Sequence, residues 1–297
     1  MYSKIAENKR KTVYLVLGLF GLIILIGYVI SVLYDSPSIT LFVGVGAVIY
    51  TLFNYYAADK VALSISRAKQ VDASSAPRLY KTVENLTIAT GMPMPKVYIM
   101  NDPAPNAFAT GRDPDHASVA ATTGLLDMLS DSELEGVMAH ELSHVANYDI
   151  RVTTIVFGMF SVISLISDFF LRSLWWGGGS RDRNNNGVTL LIGIGVSILA
   201  AMVASLIRMA VSRQREYLAD ASGVMMTRYP DGLASALQKI GSYSRPTSSG
   251  SSATAHMFFE NPLKKTDKNA GFIANLFSTH PPIAKRIERI NQAGTQL

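Results

Sequence analysis

Four long apolar runs divide the chain. Thr12 to Tyr34 carries no charged residue, nor does Ser36 to Ala58, and only Asp35 separates them. Each run is long enough to cross a bilayer as a helix, so together they predict a tight transmembrane hairpin. A third run, Val152 to Leu171, is interrupted by Asp168 near its end, and a fourth, Gly187 to Ile207, is again uncharged. These predict a second hairpin, which either spans the bilayer or sits in the protein as a re-entrant or buried pair. The Gly/Asn-rich stretch from Trp176 to Gly187 and the Ser-rich stretch from Ser242 to Ala255 are too polar to pack and read as loops.

Between the apolar runs the pattern changes. Leu79, Val83, Leu86 and Ile88 recur at helical spacing over Ala76 to Thr90. Lys96 to Met100 reads as a strand, Asn106 to Gly111 as another, and Ala117 to Thr123 as a third after turn chemistry at Gly111 to Asp115. This predicts a small antiparallel sheet followed by a helix. Ser130 and Glu133 fit the capping box that opens it, and Leu134, Val137, Met138, Leu142 and Val145 keep its period. The expected organisation is a first hairpin over 1–58 and a soluble domain begun at 59–151. A second hairpin over 152–208 interrupts that domain, and 209–297 completes it. The fold class is α+β: a multi-pass helical membrane protein whose mainly helical soluble domain carries a small sheet.

Composition supports this division. Hydrophobic residues make up 48% of the chain and charged residues 16%, where soluble domains average about 25% charged. This argues against a wholly soluble single domain. Cysteine is absent, which rules out a disulfide framework, a Cys-ligated metal, an iron–sulfur cluster and a thiol nucleophile. Any metal must be held by His, Asp or Glu. The net charge of +5 goes with a membrane surface rather than with nucleic acid. Lys4, Lys9, Arg10 and Lys11 precede the first run, Lys60, Arg67 and Lys69 follow the second, and Arg208, Arg213 and Arg215 follow the fourth. By the positive-inside rule both termini and the soluble domain are cytosolic. Arg172, Arg181 and Arg183 between the last two runs argue against placing that loop outside. The first run is too long for a signal peptide and lacks a small-residue cleavage site.

The chemistry-bearing motif lies on the capped helix. His140-Glu141-Leu142-Ser143-His144 places two imidazoles four residues apart, on one helix face, where both reach one metal ion. Glu141 is one position along, close enough to act on a water there without taking the metal. A catalytic zinc takes three protein ligands. Downstream, Glu216 and Asp220 are also four apart. Glu216 can supply the third ligand, while Asp220 accepts a hydrogen bond from the far nitrogen of a ligand histidine. Otherwise Glu216 is a surface partner of Arg213 or Lys239. His116 and His256 are isolated and read as surface residues. His144 is close to Arg151, where the third run begins. A continuous helix would put the metal about 10 Å from that point, near the membrane surface.

The stretches Asn106 to Gly111 (NAFATG), His140 to Asp149 (HELSHVANYD), Ser212 to Asp220 (SRQREYLAD) and Thr279 to Arg286 (THPPIAKR) resemble the HtpX family of integral-membrane zinc metallopeptidases, related to the CAAX prenyl proteases. The resemblance covers essentially the whole chain. It implies a gluzincin-type endopeptidase with one Zn2+ per chain, its active site on the cytosolic face of the cell membrane, acting in quality control of misfolded or damaged membrane proteins. By position it makes His140, His144 and Glu216 the ligands and Glu141 the base, with Asp220, Asn147 and Asp149 behind them. It makes Asn106, Ala107, Phe108 and Ala109 the sheet edge that pairs with the substrate backbone, the alternative being an interior strand. His280 and Arg286 either hold the oxyanion, or His280 binds the metal at rest, or the segment is an ordinary helix cap with Arg286 solvated. Self-cleavage is an expected side activity. The rival functions are a catalytically inactive zinc-containing membrane scaffold or chaperone, and a small transporter with a metal sensor.

Overall fold

A computed structural model describes residues 35–155, 213–243, 258–259 and 281–294, with scattered positions between 10 and 32 and position 195. Much of the first expected span, nearly all of the third and fourth, and Asp168, His256 and His280 lie outside the described residues.

The first element, α1 (Ser38–Ile65), is apolar on every side. Leu41, Phe42, Ile49, Phe53 and Tyr56 are exposed, whereas Ala58, Ala62 and Leu63 near its end are buried against Met100, Phe108 and Ala120. Its parts Thr40–Tyr50 and Tyr55–Ile65 meet at 68°. Among the described residues no single helix is long and apolar enough to cross a membrane; these two parts together are, by length and composition.

Four strands follow: β1 (Lys69–Val71), β2 (Lys96–Met100), β3 (Ala107–Gly111) and β4 (Ala117–Thr122), with α2 (Pro77–Thr90) between the first two. Their order in the sheet is β1-β2-β4-β3. The sheet is mixed rather than antiparallel as expected. Strand β4 runs parallel to β2 with Val97 opposite Val119, and antiparallel to β3 with Phe108 opposite Ala120. The reason is the passage between β2 and β3. Asp102 turns the chain by accepting the Ala104 N–H on its carboxylate and the Gly124 N–H on its carbonyl. The chain then enters β3 on the outer edge, leaving a gap that β4 fills. Strand β4 is buried throughout, which suits its small residues. Ala117, Val119 and Ala121 face the main core, and Ala120 faces α1, so alternation along the strand places the sheet between α1 and the remaining helices. In α2 the expected face is present at Leu79, Val83 and Leu86, but Ile88 is exposed. It lies outside the i, i+3, i+4, i+7 stripe that the other three define.

Thr123–Met128 (α3) leads to the central helix, α4 (Asp131–Ala146). The capping box is present: the Ser130 N–H donates to Glu133 Oε2 at 2.7 Å. Helices α5 (Arg213–Thr227), α6 (Pro230–Ser242) and α7 (Ile283–Gly294) complete the described elements. Leu134, Val137, Met138 and Leu142 of α4 are all buried. The helix is covered by α2, α5, α6 and β3, as expected of one that buries residues all round.

Candidate metal centre

Helix α5 is the element that completes the site. Its buried positions are Glu216, Ala219, Asp220, Gly223 and Val224, a face at i, i+3, i+4, i+7 and i+8. That face is small and acidic rather than greasy. A Cβ at Gly223 would stand 3.1 Å from the His140 backbone nitrogen, so glycine there lets α5 lie close against α4. One turn and two turns back from Gly223, Asp220 and Glu216 are carried to the two histidines.

The three candidate ligands converge. His140, His144 and Glu216 each offer an atom within 4.8 Å of the others. The two Nε2 atoms are 3.2 Å apart, and the Glu216 carboxylate oxygens lie 3.6 Å from His144 Nε2 and 3.9 Å from His140 Nε2. A tetrahedral ion with bonds of about 2.1 Å separates its ligands by about 3.4 Å, so this donor set fits one such ion with little movement. Both outer nitrogens are taken by carboxylates: His140 Nδ1 by Asp220 at 2.9 Å and His144 Nδ1 by Asp149 at 3.0 Å. Each Nδ1–H is thereby held in place, and each ring in its neutral form turns its Nε2 lone pair toward the ligand cluster. Glu141 is buried next to His140, and its charge reaches His144.

The two imidazoles are held in different charge states. Burial pushes His140 down to about 4, despite the pull of Asp220. Burial acts the same way on His144, but its hydrogen bond to the Asp149 carboxylate and the charges of Glu216, Asp149 and Glu141 outweigh it and raise the group to about 9. Asp220 is held down at about 2, because the Arg286 guanidinium and His140 overcome the cost of its burial.

Asp149 reaches His144 only because the helix breaks, which corrects the continuous helix expected toward Arg151. Helix α4 ends at Ala146, Asn147 caps it, and Tyr148 takes a left-handed φ of 59°. In a straight helix a residue five positions on would point well away from His144; the turn brings its carboxylate back. Asn147 is buried at this turn, its N–H donating to the Ser143 carbonyl.

Two expectations are altered. Arg286 is neither solvated nor at the open side of the ligands. It is fully buried and grips Asp220 through Nε at 2.9 Å and Nη2 at 2.7 Å, with Nη2 3.4 Å from His140 Nδ1. That is the side of the ring opposite the ligand cluster. The β3 edge is not open either. The Phe259 N–H donates to the Ala107 carbonyl at 2.7 Å, Phe258 bridges antiparallel to Phe108, and Thr154 Oγ1 donates to the Gly111 carbonyl at 3.1 Å. Asn106 turns inward, its carbonyl accepting the Thr122 N–H. The sheet edge at Ala107 and Phe108 is thus covered by a later part of the same chain. Phe259 also packs on the His140 ring at 5.0 Å and lies under the Arg286 guanidinium at 4.8 Å. The sequence assigns no role to Phe258 or Phe259, which no motif spacing connects to the histidines, and it marks Arg215 only as a basic residue after the fourth apolar run. His116 is exposed and pairs with Asp113, away from these residues.

Comparison with known proteins gives the family. Residues 73–293 match the model of peptidase family M48. The chain belongs to that family. Its M48 relatives include the HtpX protease homologue of Tropheryma whipplei (strain Twist), 50% identical over 100% of this chain and 99% of that one. The homologue of Caldanaerobacter subterraneus subsp. tengcongensis is 49% identical over 98% and 97% of the two chains. The crystal structure of S. mikatae Ste24p shares the fold, with a TM-score of 0.50 at 16% identity, covering 98% of this chain and 67% of that one. The chain is thus an HtpX-type M48 metalloprotease, and His140, His144 and Glu216 are the residues that could hold its metal.

Proposed function

We propose that the chain is a zinc-dependent endopeptidase of the cell membrane that cleaves misfolded or damaged membrane proteins at the cytosolic face. The observation that carries the chemistry is the convergence of two Nε2 atoms and one carboxylate beside a buried second carboxylate, Glu141. Zinc held there supplies a Lewis acid that acidifies water toward neutral pH and polarises a carbonyl. Asp220 and Asp149 keep the protons of His140 and His144 on Nδ1. The Glu141 carboxylate takes the proton of the attacking water and returns it to the departing amine nitrogen. Of the two residues the resemblance puts forward for the oxyanion, Arg286 is committed to Asp220, which leaves His280.

The membrane part of the reading is supported by the charge-free run Thr12 to Tyr34 and by α1, whose exposed side chains are apolar over most of its length. Helix α1 ends packed on Phe108, in the strand that the resemblance assigns to the substrate.

The test uses purified full-length protein. Wild type is expected to bind one zinc and to nick itself when zinc is added. Glu141→Ala should bind one zinc and stay intact, and His140→Ala should lose the metal. Equal nicking by wild type and Glu141→Ala would assign the cleavage to a contaminant and return the protein to the scaffold reading.

A further inference from the structure

We propose that Arg286 is a positioning residue of the metal site: its guanidinium holds the Asp220 carboxylate in the orientation that fixes His140, while Arg215 does the same, more weakly, through Asp149 for His144. The inference rests on the zinc-site reading above and deepens it.

The geometry is that of a relay. Asp220 Oδ1 receives both His140 Nδ1 at 2.9 Å and Arg286 Nη2 at 2.7 Å, and Oδ2 receives Arg286 Nε at 2.9 Å. A forked guanidinium engaging both oxygens fixes the carboxylate plane, which a single donor does not. With the plane fixed, Oδ1 faces the imidazole N–H and the ring cannot turn its lone pair away from the ligand cluster. Arg286 sits on the Nδ1 side of His140, whereas Glu216 and His144 approach from the Nε2 side. The ring stands between the guanidinium and the ligand cluster, so Arg286 acts through His140. Phe259 covers both the guanidinium and the ring, and by excluding water it strengthens the contacts beneath it.

The relay draws on three helices: His140 from α4, Asp220 from α5 and Arg286 from α7. Arg289, one position short of a full turn along α7, lies over the Tyr217 ring of α5 at 3.8 Å and forms a second clasp between the same helices. The other histidine has a similar arrangement in looser form. Asp149 Oδ2 meets His144 Nδ1 at 3.0 Å, and Arg215 Nη1 is 3.6 Å from Asp149 Oδ1. The longer distance, and a side chain that is 12% exposed where that of Arg286 is 0%, rank Arg215 second.

The experiment measures zinc affinity of the full-length protein by competition with a chromophoric chelator, and the visible spectrum of the cobalt(II)-loaded protein. Arg286→Gln is expected to weaken zinc binding about 10- to 100-fold and to shift the cobalt bands. Arg286→Lys should recover part of the affinity, and Arg215→Gln should lose less than tenfold. Asp220→Asn combined with Arg286→Gln should be no weaker than Asp220→Asn alone, because the two act in series. The double variant also removes both buried charges together, which keeps the test usable if Arg286→Gln fails to fold. Unchanged zinc affinity and an unshifted cobalt spectrum in Arg286→Gln, with hydrolysis reduced, would overturn the inference and make Arg286 a group that acts on substrate. A wild-type protein that binds no zinc would instead remove the reading on which the inference rests.

Discussion

His140 and His144 are one helical turn apart and chemically similar, yet the protein holds them on opposite sides of neutrality. The difference comes from what lies behind and beside each ring. His140 faces Asp220, but Arg286 neutralises much of that charge, and burial then prevails. His144 faces Asp149 with Glu216 and Glu141 nearby, and three carboxylates outweigh burial. A metal takes only the neutral imidazole, so loading must expel whatever proton the ring holds. At pH 7 His140, near 4, has none to give, and His144, near 9, has one. Zinc binding is therefore expected to release about one proton from this pair at pH 7, falling toward none as pH rises through 9. Apparent affinity should rise over the same interval. Calorimetry in buffers of different ionisation enthalpy measures the total release, to which a metal-bound water adds near neutral pH; at pH 6, where that water keeps its proton, a count near one is expected, and a count near two would mean that His140 is charged as well. In the metal-free protein the sign of the stability effect is fixed too. The raised His144 stabilises the fold below its unfolded value of 6.5, and that contribution is lost as pH passes 9.

Helix α4 carries the site because its two ends are secured differently. At its start Glu133 caps the Ser130 N–H and also receives Ser235 at 2.5 Å and Lys239 at 2.7 Å from α6. Burial opposes the charge on Glu133, but these partners outweigh it and hold the group down at about 2, against 4.5 ordinarily. A lowered carboxylate stabilises above its unfolded pKa, so this contribution is complete above pH 4.5 and disappears as pH falls toward 2. Glu133→Gln keeps an acceptor for the Ser130 N–H but loses the charge that pairs with Lys239; it should lower the melting temperature at pH 7 by an amount in keeping with about 1 kcal/mol, and should flatten its decline between pH 4.5 and 2. At the other end the left-handed Tyr148 aims Asp149. Tyr148→Gly can keep that φ and should leave zinc affinity within a factor of two; Tyr148→Pro cannot, and should cost at least tenfold. Both are read by chelator competition, and equal affinities in the two would detach the turn from the site.

These elements also show what the residues disclose on their own. The bounds of β2, the capping box and the shared face of His140 and His144 follow from periodicity and local hydrogen-bonding rules, which act over a few positions. Helix α5 was legible as an acid pair at Glu216 and Asp220. The parallel pairing of β2 with β4, the three-residue strand β1, the break at Tyr148 and the pairing of Phe259 with Ala107 were not. Each depends on partners far along the chain, or on a single backbone angle that Tyr does not favour. Arg286 was named in its motif, but its direction was set by Asp220 on another helix.

At the scale of the molecule, one helix, α1, bent by 68° between its two parts, carries both exposed apolar residues and the contact with the sheet. Leu41, Phe42, Ile49 and Phe53 are exposed, and a few turns on Ala58 and Ala62 pack on Phe108. On the proposed membrane placement, a bilayer around the first part would keep the second, and β3 with it, close to the lipid headgroups. Purified protein in vesicles is therefore expected to cut an unfolded segment anchored in the same bilayer at least tenfold faster than soluble casein of equal length, measured by gel densitometry; equal rates would separate the site from the membrane.

The pairing of Phe258 and Phe259 with β3 bears on what can enter. An unpaired strand rim is a template for any extended chain that drifts past, and a hydrolase with such a rim would endanger its neighbours. Here the rim already has a covalently attached occupant, present at a local concentration that free peptides do not reach, on the order of millimolar for short connections. A dilute polypeptide loses that contest. On the proposed reading, one confined to the same thin layer of membrane, and held there long enough for the Phe259 N–H to let go of Ala107, would win it, a selectivity that asks nothing of the guest's sequence.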